Sequence, residues 1–116
     1  MDQQTKENCV KNESPATMES LQKEVGDFVQ EIGGYWSPFA MFLSVAEEVG
    51  EVARQINHIE KVKIKKPTES KKGLEEEMGD TLFSLICIAN YYKIDLAESL
   101  RFVIEKYRKR DANRYN

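Results

Sequence analysis

Acidic residues recur in this sequence in two short, matched patterns. Glu47, Glu48 and Glu51 fall in one segment, and Glu75, Glu76, Glu77 and Asp80 in another. Glu48 with Glu51, and Glu77 with Asp80, are each spaced i, i+3, so on a helix each pair shares one face a turn apart. Like charges at that spacing repel and weaken the helix slightly. Both pairs border apolar residues, Val49 and Val52 in the first case, Met78 and Leu82 in the second. A carboxylate beside a core needs a counter-charge or a metal, because a bare buried charge is costly. Two antiparallel helices would join the pairs into a cluster of four hard oxygen donors, suited to magnesium or manganese. Taken singly, each pair is more simply a solvated acidic face. The two together carry the metal reading.

The elements that must position these groups are helices. Met18, Leu21, Val25, Phe28, Val29 and Ile32 recur at helical spacing. That helix starts at Ser14-Pro15 or Thr17 and stops at Gly33-Gly34, where glycine tolerates the left-handed cap. Ser37 caps a second helix with Pro38 just inside it. Its apolar stripe is Phe42, Val45, Ala46, Val49, Val52, Ala53 and Ile56, ending near His58. Residues from Glu60 to Lys72 are lysine-rich and contain Pro67, which predicts an exposed, mobile loop. A third helix is expected from Gly73 to Tyr92, with Met78, Leu82, Leu85, Ile86 and Ala89 on one face. Asp95 to Glu98 resembles a capping box and opens a fourth helix through Leu100, Val103, Ile104 and Tyr107.

Neither strand alternation nor an internal repeat is visible. The order helix, helix, loop, helix, helix predicts an all-α four-helix bundle. Residues 1–13 lack apolar periodicity and are expected to form a disordered leader, with the helical domain over residues 14–116. The third helix is apolar on more than one side, which implies burial on both sides and a homo-oligomer, dimer or tetramer. Cys87 and the Tyr91-Tyr92 pair belong to the core or that interface.

Bulk properties narrow the class of function. The 116 residues fit one domain, with 32% charged and 41% hydrophobic residues and a net charge of -3. A general nucleic-acid binder would usually be basic, so no nucleic-acid partner is expected. No apolar stretch spans a bilayer, and residues 1–12 carry no hydrophobic signal region, so no membrane partner is expected. Two cysteines, Cys9 and Cys87, form no disulfide framework, which suits a reducing cytoplasm.

Glu47-Glu48-Val49-Gly50-Glu51, followed after a loop by Glu77-Met78-Gly79-Asp80, resembles the paired acidic signature of the MazG-like all-α nucleoside triphosphate pyrophosphohydrolases. The segment from Gly34 to Met41 and the tail from Lys106 to Tyr115 fit the small stand-alone members of that family from Bacillus and its relatives. The likeness covers about Met18 to Tyr115. It implies that Glu48, Glu51, Glu77 and Asp80 hold magnesium. Glu47 fills the first acidic position of the signature. Its role is open between aligning or deprotonating the attacking water and holding an outer-shell water. With Glu48 and Glu51 it makes up the expected catalytic group.

The reaction implied is hydrolysis between the α- and β-phosphates of a nucleoside triphosphate, giving a nucleoside monophosphate and pyrophosphate. A triphosphate is repelled by carboxylates alone, and magnesium reverses that sign and acidifies a bound water. Lys106, Arg110 and Arg114, spaced by four, form one basic stripe on or just beyond the fourth helix. They are phosphate ligands by the resemblance of the tail, or favourable charges at a helix C-terminus. For the base, Trp36 (with Tyr35 and Phe39) offers a stacking surface, and Asn57 or His58 an edge-reading hydrogen bond; each could equally be structural. The competing function is a non-catalytic helical oligomerisation or regulatory module that binds metal structurally. The complete acidic set and the basic tail favour the enzyme.

Overall fold

The computed structural model describes residues 15–60 and 71–114, leaving aside the side chains of 71, 72, 113 and 114. The expected leader and most of the expected lysine-rich loop lie outside the described residues. Among the described residues there are four helices, as expected: α1 Met18–Glu31, α2 Pro38–Ile59, α3 Lys71–Tyr91 and α4 Leu96–Arg114. The helix α3 begins two residues before Gly73. None of the described helices is long and apolar enough to cross a membrane.

Local chemistry sets the ends. Thr17 Oγ1 accepts from the Ser20 amide at 3.0 Å, and Ser20 Oγ accepts from the Thr17 amide at 2.9 Å, a reciprocal cap on α1. Ser37 Oγ accepts from the Ala40 amide at 3.2 Å, with Pro38 opening α2. Asp95 Oδ1 accepts from the Glu98 amide at 3.1 Å at the start of α4. Two helices finish in the same left-handed stop. After α1, the Gly34 amide donates to Val29 O at 2.8 Å and the Gly33 amide to Gln30 O, with Gly33 at φ 116°. After α3, the Ile94 amide donates to Ala89 O at 2.8 Å and the Lys93 amide to Asn90 O. There the left-handed position is a lysine, at φ 57°.

The helices pack unevenly. The helix α2 lies along α3, α1 packs on α3, and α4 packs chiefly on α1. In space the order is therefore α2, α3, α1, α4. The core is small. Val29, Met41 and Cys87 are buried together, with Val25, Tyr35 and Ile88 packed against them, and Ile86 and Ala89 are buried nearby. Each large apolar side chain so buried contributes about 1.5–3 kcal/mol. A polar clasp joins the far helices. Gln22 Nε2 donates to Asn90 Oδ1 and to Ile94 O, Gln22 Oε1 accepts from the Leu96 amide, and Asn90 Nδ2 donates to Gln22 O.

The stripe expected along α2 splits in two. Val45 and Val52 are half-buried, whereas Phe42, Ala46, Val49, Ala53 and Ile56 are exposed, Phe42 to 61% and Val49 to 52%. Only α3 packs extensively along α2. Among the described residues its outer flank is left exposed. The expected α3 face divides likewise: Ile86 and Ala89 are buried, while Met78, Leu82 and Leu85 are exposed. Cys87 joins the core as expected, and Tyr91 and Tyr92 are exposed and stack edge-on at 5.1 Å.

Candidate active site

The pairing of α2 with α3 brings the two acidic patterns together. Single carboxylate oxygens of Glu48, Glu77 and Asp80 lie within 4.8 Å of one another. Glu48 and Glu77 are half-buried and Asp80 is exposed. Glu51 stands a turn further along α2, where its Oε2 meets Arg54 Nη1 at 3.5 Å. Its charge still acts on Glu77. Glu47 is exposed at the edge of the group.

The electrostatics show how crowded these acids are. The Glu77 carboxyl is held above its ordinary range, first by desolvation, then by a hydrogen bond with Glu48 and by the charges of Glu48, Asp80 and Glu51. A cation placed among these carboxylates would relieve their mutual repulsion. All three clustered groups offer hard oxygen, one from α2 and two from α3, which suits a divalent magnesium-type ion. The residues present therefore fit the metal that the sequence implies.

An apolar cleft of about 270 Å³ runs beside this cluster, close to the lower size of small-molecule sites at about 300 Å³. Phe28, Val29 and Ile32 of α1 form one wall, and Tyr35 and Trp36 of the connector another. Its floor comes from α2 and α3, through Met41, Ser44, Phe83, Ser84 and Cys87. Ser44 precedes Glu48 by four residues, and Ser84 follows Asp80 by four. The same faces of the same two helices thus carry carboxylates at one station and the cleft at the next. Of the cleft residues, the sequence reading singled out Tyr35 and Trp36 and did not single out Ser44, Ser84, Phe28 or Phe83 for a site. The available signal was two serines on otherwise core-facing stripes, each one turn from an acid.

Of the expected substrate contacts, only some fall at this cleft. Trp36 is at the rim of the cleft and exposed. Phe39 does not line the cleft. Asn57 and His58, both half-buried, come about two turns after Glu51, toward the end of α2 away from the cleft. Lys106 and Arg110 are exposed on α4 and flank the Tyr107 ring at 5.1 and 4.6 Å. Among the described residues α4 packs chiefly on α1 rather than on the α2–α3 pair. The Arg114 side chain lies outside the described residues.

Comparison with known proteins shows the family and the fold. Residues 37–115 match the model of the MazG nucleotide pyrophosphohydrolase domain. YpjD of Bacillus subtilis (strain 168) is 44% identical over 103 residues, covering 88% of this chain and 93% of that protein. The crystal structure of YpjD superposes with a TM-score of 0.75 over 81% of this chain and 97% of that one. The crystal structure of a Bacillus-conserved MazG protein, described as a nucleotide pyrophosphohydrolase, is 38% identical. It superposes with a TM-score of 0.69 over 81% of this chain and 92% of that one. With its acidic signature on α2 and α3 and a family match that spans both, this chain belongs to the MazG nucleotide pyrophosphohydrolases and is a hydrolase.

Proposed function

We propose that this hydrolase cleaves nucleoside triphosphates between the α- and β-phosphates, with magnesium, or manganese in its place, held by Glu48, Glu77 and Asp80 and assisted by Glu51. The observation that carries the reading is the shared groove. Three converging carboxylates sit one helical turn from a cleft able to take an apolar, flat group. When bound there, magnesium would offset phosphate charge and make a water more acidic.

The chain's own residues do the rest. The apolar walls of Phe28 and Phe83 and the rim of Trp36 hold the base and keep water from it. The hydroxyls of Ser44 and Ser84 sit between that pocket and the acids, where sugar hydroxyls would lie. Glu47, an exposed carboxylate next to Glu48 in sequence, aligns the attacking water and takes its proton. Lys106, Arg110 and Arg114 neutralise the phosphates. Hydrolysis of this kind serves to cleanse or control a nucleotide pool in the cytoplasm. The assembly is a homo-oligomer, because exposed apolar faces of the size seen on α2 and α3 mark interfaces.

A panel of nucleoside triphosphates with magnesium tests this, with pyrophosphate and nucleoside monophosphate detected together. Orthophosphate and diphosphate as products would place the cut at the wrong bond. No turnover with any triphosphate, while magnesium still raised the melting temperature, would leave only a structural metal site.

A further inference from the structure

Two serines of the cleft carry hydroxyls that the chain itself does not use. Ser44 of α2 and Ser84 of α3 are half-buried and both line the cleft. Among the described residues neither hydroxyl has a hydrogen-bond partner. Other helical hydroxyls in the chain turn back on their own helix. Thr81 Oγ1 donates to Glu77 O at 2.8 Å, and Ser99 Oγ to Asp95 O at 3.1 Å. That back-bond is the local way to satisfy a hydroxyl inside a helix. Ser44 and Ser84 forgo it and keep their hydroxyls for the cleft.

Their station says which part of a nucleotide would use them. Four residues advance a helix by about 6 Å and return to within about 40° of the same direction. Ser44 stands that far from Glu48, and Ser84 that far from Asp80. One turn further along each helix come Met41 and Cys87, both buried and both lining the cleft. The groove between α2 and α3 thus runs from carboxylates to hydroxyls to apolar surface. A nucleotide runs from phosphate to sugar to base in the same order. The serines fall at the sugar.

Two hydroxyls, one from each helix, match a sugar with hydroxyls on neighbouring carbons. Ribose has the 2′ and 3′ pair, and deoxyribose has the 3′ alone. A serine hydroxyl can donate and accept, so each can serve either sugar hydroxyl. Serine is also the smallest side chain able to do so, which leaves room at both stations for the 2′ oxygen.

We propose that Ser44 and Ser84 bind the 2′ and 3′ hydroxyls of a ribose, which makes ribonucleoside triphosphates the preferred substrates. The reading rests on the triphosphate hydrolysis proposed above and adds the sugar to it. A 2′-deoxy substrate leaves one half-buried hydroxyl without its partner. The net loss of one such hydrogen bond weakens binding by about threefold to tenfold.

The test compares CTP with dCTP, and ATP with dATP, in wild type, Ser44→Ala, Ser84→Ala and the double variant. Wild type should favour the ribose member of each pair by about threefold to tenfold in kcat/KM. At least one alanine variant, and the double variant, should bring that ratio close to one, with the ribose member losing more than its deoxy counterpart. A merely structural serine would lower both members alike and leave the ratio unmoved. Titration calorimetry with α,β-methylene CTP and its 2′-deoxy form reads the same preference as affinity, without turnover. A wild type that treats the two sugars equally or favours deoxyribose overturns the proposal, as does a ribose preference that survives in the double variant. If no triphosphate is turned over, the hydrolysis reading fails, and the calorimetric ratio alone decides the sugar: equal affinities overturn the proposal and a ribose preference lost in the double variant upholds it.

Discussion

Gly73 sits in the first turn of α3, packed against Gln55 of α2. A Cβ there would lie 2.8 Å from Gln55 Oε1, 3.1 Å from its Cδ and 3.3 Å from its Nε2. Gln55 is buried, with 7% of its surface exposed, so the whole amide must shift in a confined space. Gly73→Ala gains the helix preference of alanine, about 0.5–1 kcal/mol. Against that stands overpacking of about 1–3 kcal/mol. The expected net loss is about 1 kcal/mol of stability in urea titrations without metal. The consequence for function is larger than the stability change suggests. Gly73 is one turn before Glu77, and Gln55 one turn after Glu51, so wedging this contact apart widens the acid cluster. The rise in melting temperature caused by magnesium should shrink, although no carboxylate has been touched. Trimming the obstacle should relieve the clash: in Gly73→Ala/Gln55→Ala the alanine at 73 should cost about 1 kcal/mol less than it does alone, a coupling typical of residues in contact. A Gly73→Ala protein as stable as wild type, with an unchanged magnesium response and an additive double variant, would refute the reasoning.

Three further outcomes are expected. Glu48→Gln or Asp80→Asn should abolish pyrophosphate release and leave the helical circular dichroism intact, since the amide keeps the size and removes charge that the metal needs; near-normal turnover would remove these residues from the site. The raised Glu77 carboxyl means that the folded chain keeps a proton longer than the unfolded one, so metal-free stability should fall as pH rises from 4.5 through the folded value. Melts in chelator across that window should show the fall in wild type and a flatter profile in Glu77→Gln. Lys93→Gly removes a side chain from left-handed backbone and should stabilise the chain by roughly 0.5–1 kcal/mol, read as a higher melting temperature.

Much of the site was legible because helices turn spacing into direction. The i, i+3 carboxylate pairs announced their shared faces, and α2 and α3 do bring Glu48, Glu77 and Asp80 within reach of one another. Caps at Ser37 and Asp95 and the stop at Gly33-Gly34 were equally local and equally readable. What covers an apolar stripe is a different kind of information. Both flanks of α2 are apolar, Met41, Val45 and Val52 on one and Phe42, Val49 and Ile56 on the other. Periodicity alone does not say which flank meets α3. The cleft draws on α1, α2, α3 and a connector, and no one-helix pattern encodes a shape shared among four segments. The Gln22–Asn90 contact spans 68 residues and leaves no trace in local spacing.

That contact fixes something apolar packing leaves free. The face that α1 turns to its neighbours, Leu21, Val25 and Phe28, is greasy enough to slide along α3, because dispersion contacts are tolerant of register. Gln22 is not tolerant. Its amide meets Asn90, Ile94 O and the Leu96 amide at once. Moving α1 by one turn, about 5.4 Å, would bring Met18 or Gly26 to that station. Neither side chain offers an amide, so the bonds to these partly buried groups would be lost, each a net loss of about 0.5–1.5 kcal/mol. The chain therefore has one threading of α1 rather than a ladder of near-equal ones. The same side chain holds the first amide of α4, so the pin that indexes the first helix also sets the angle at which the last one departs.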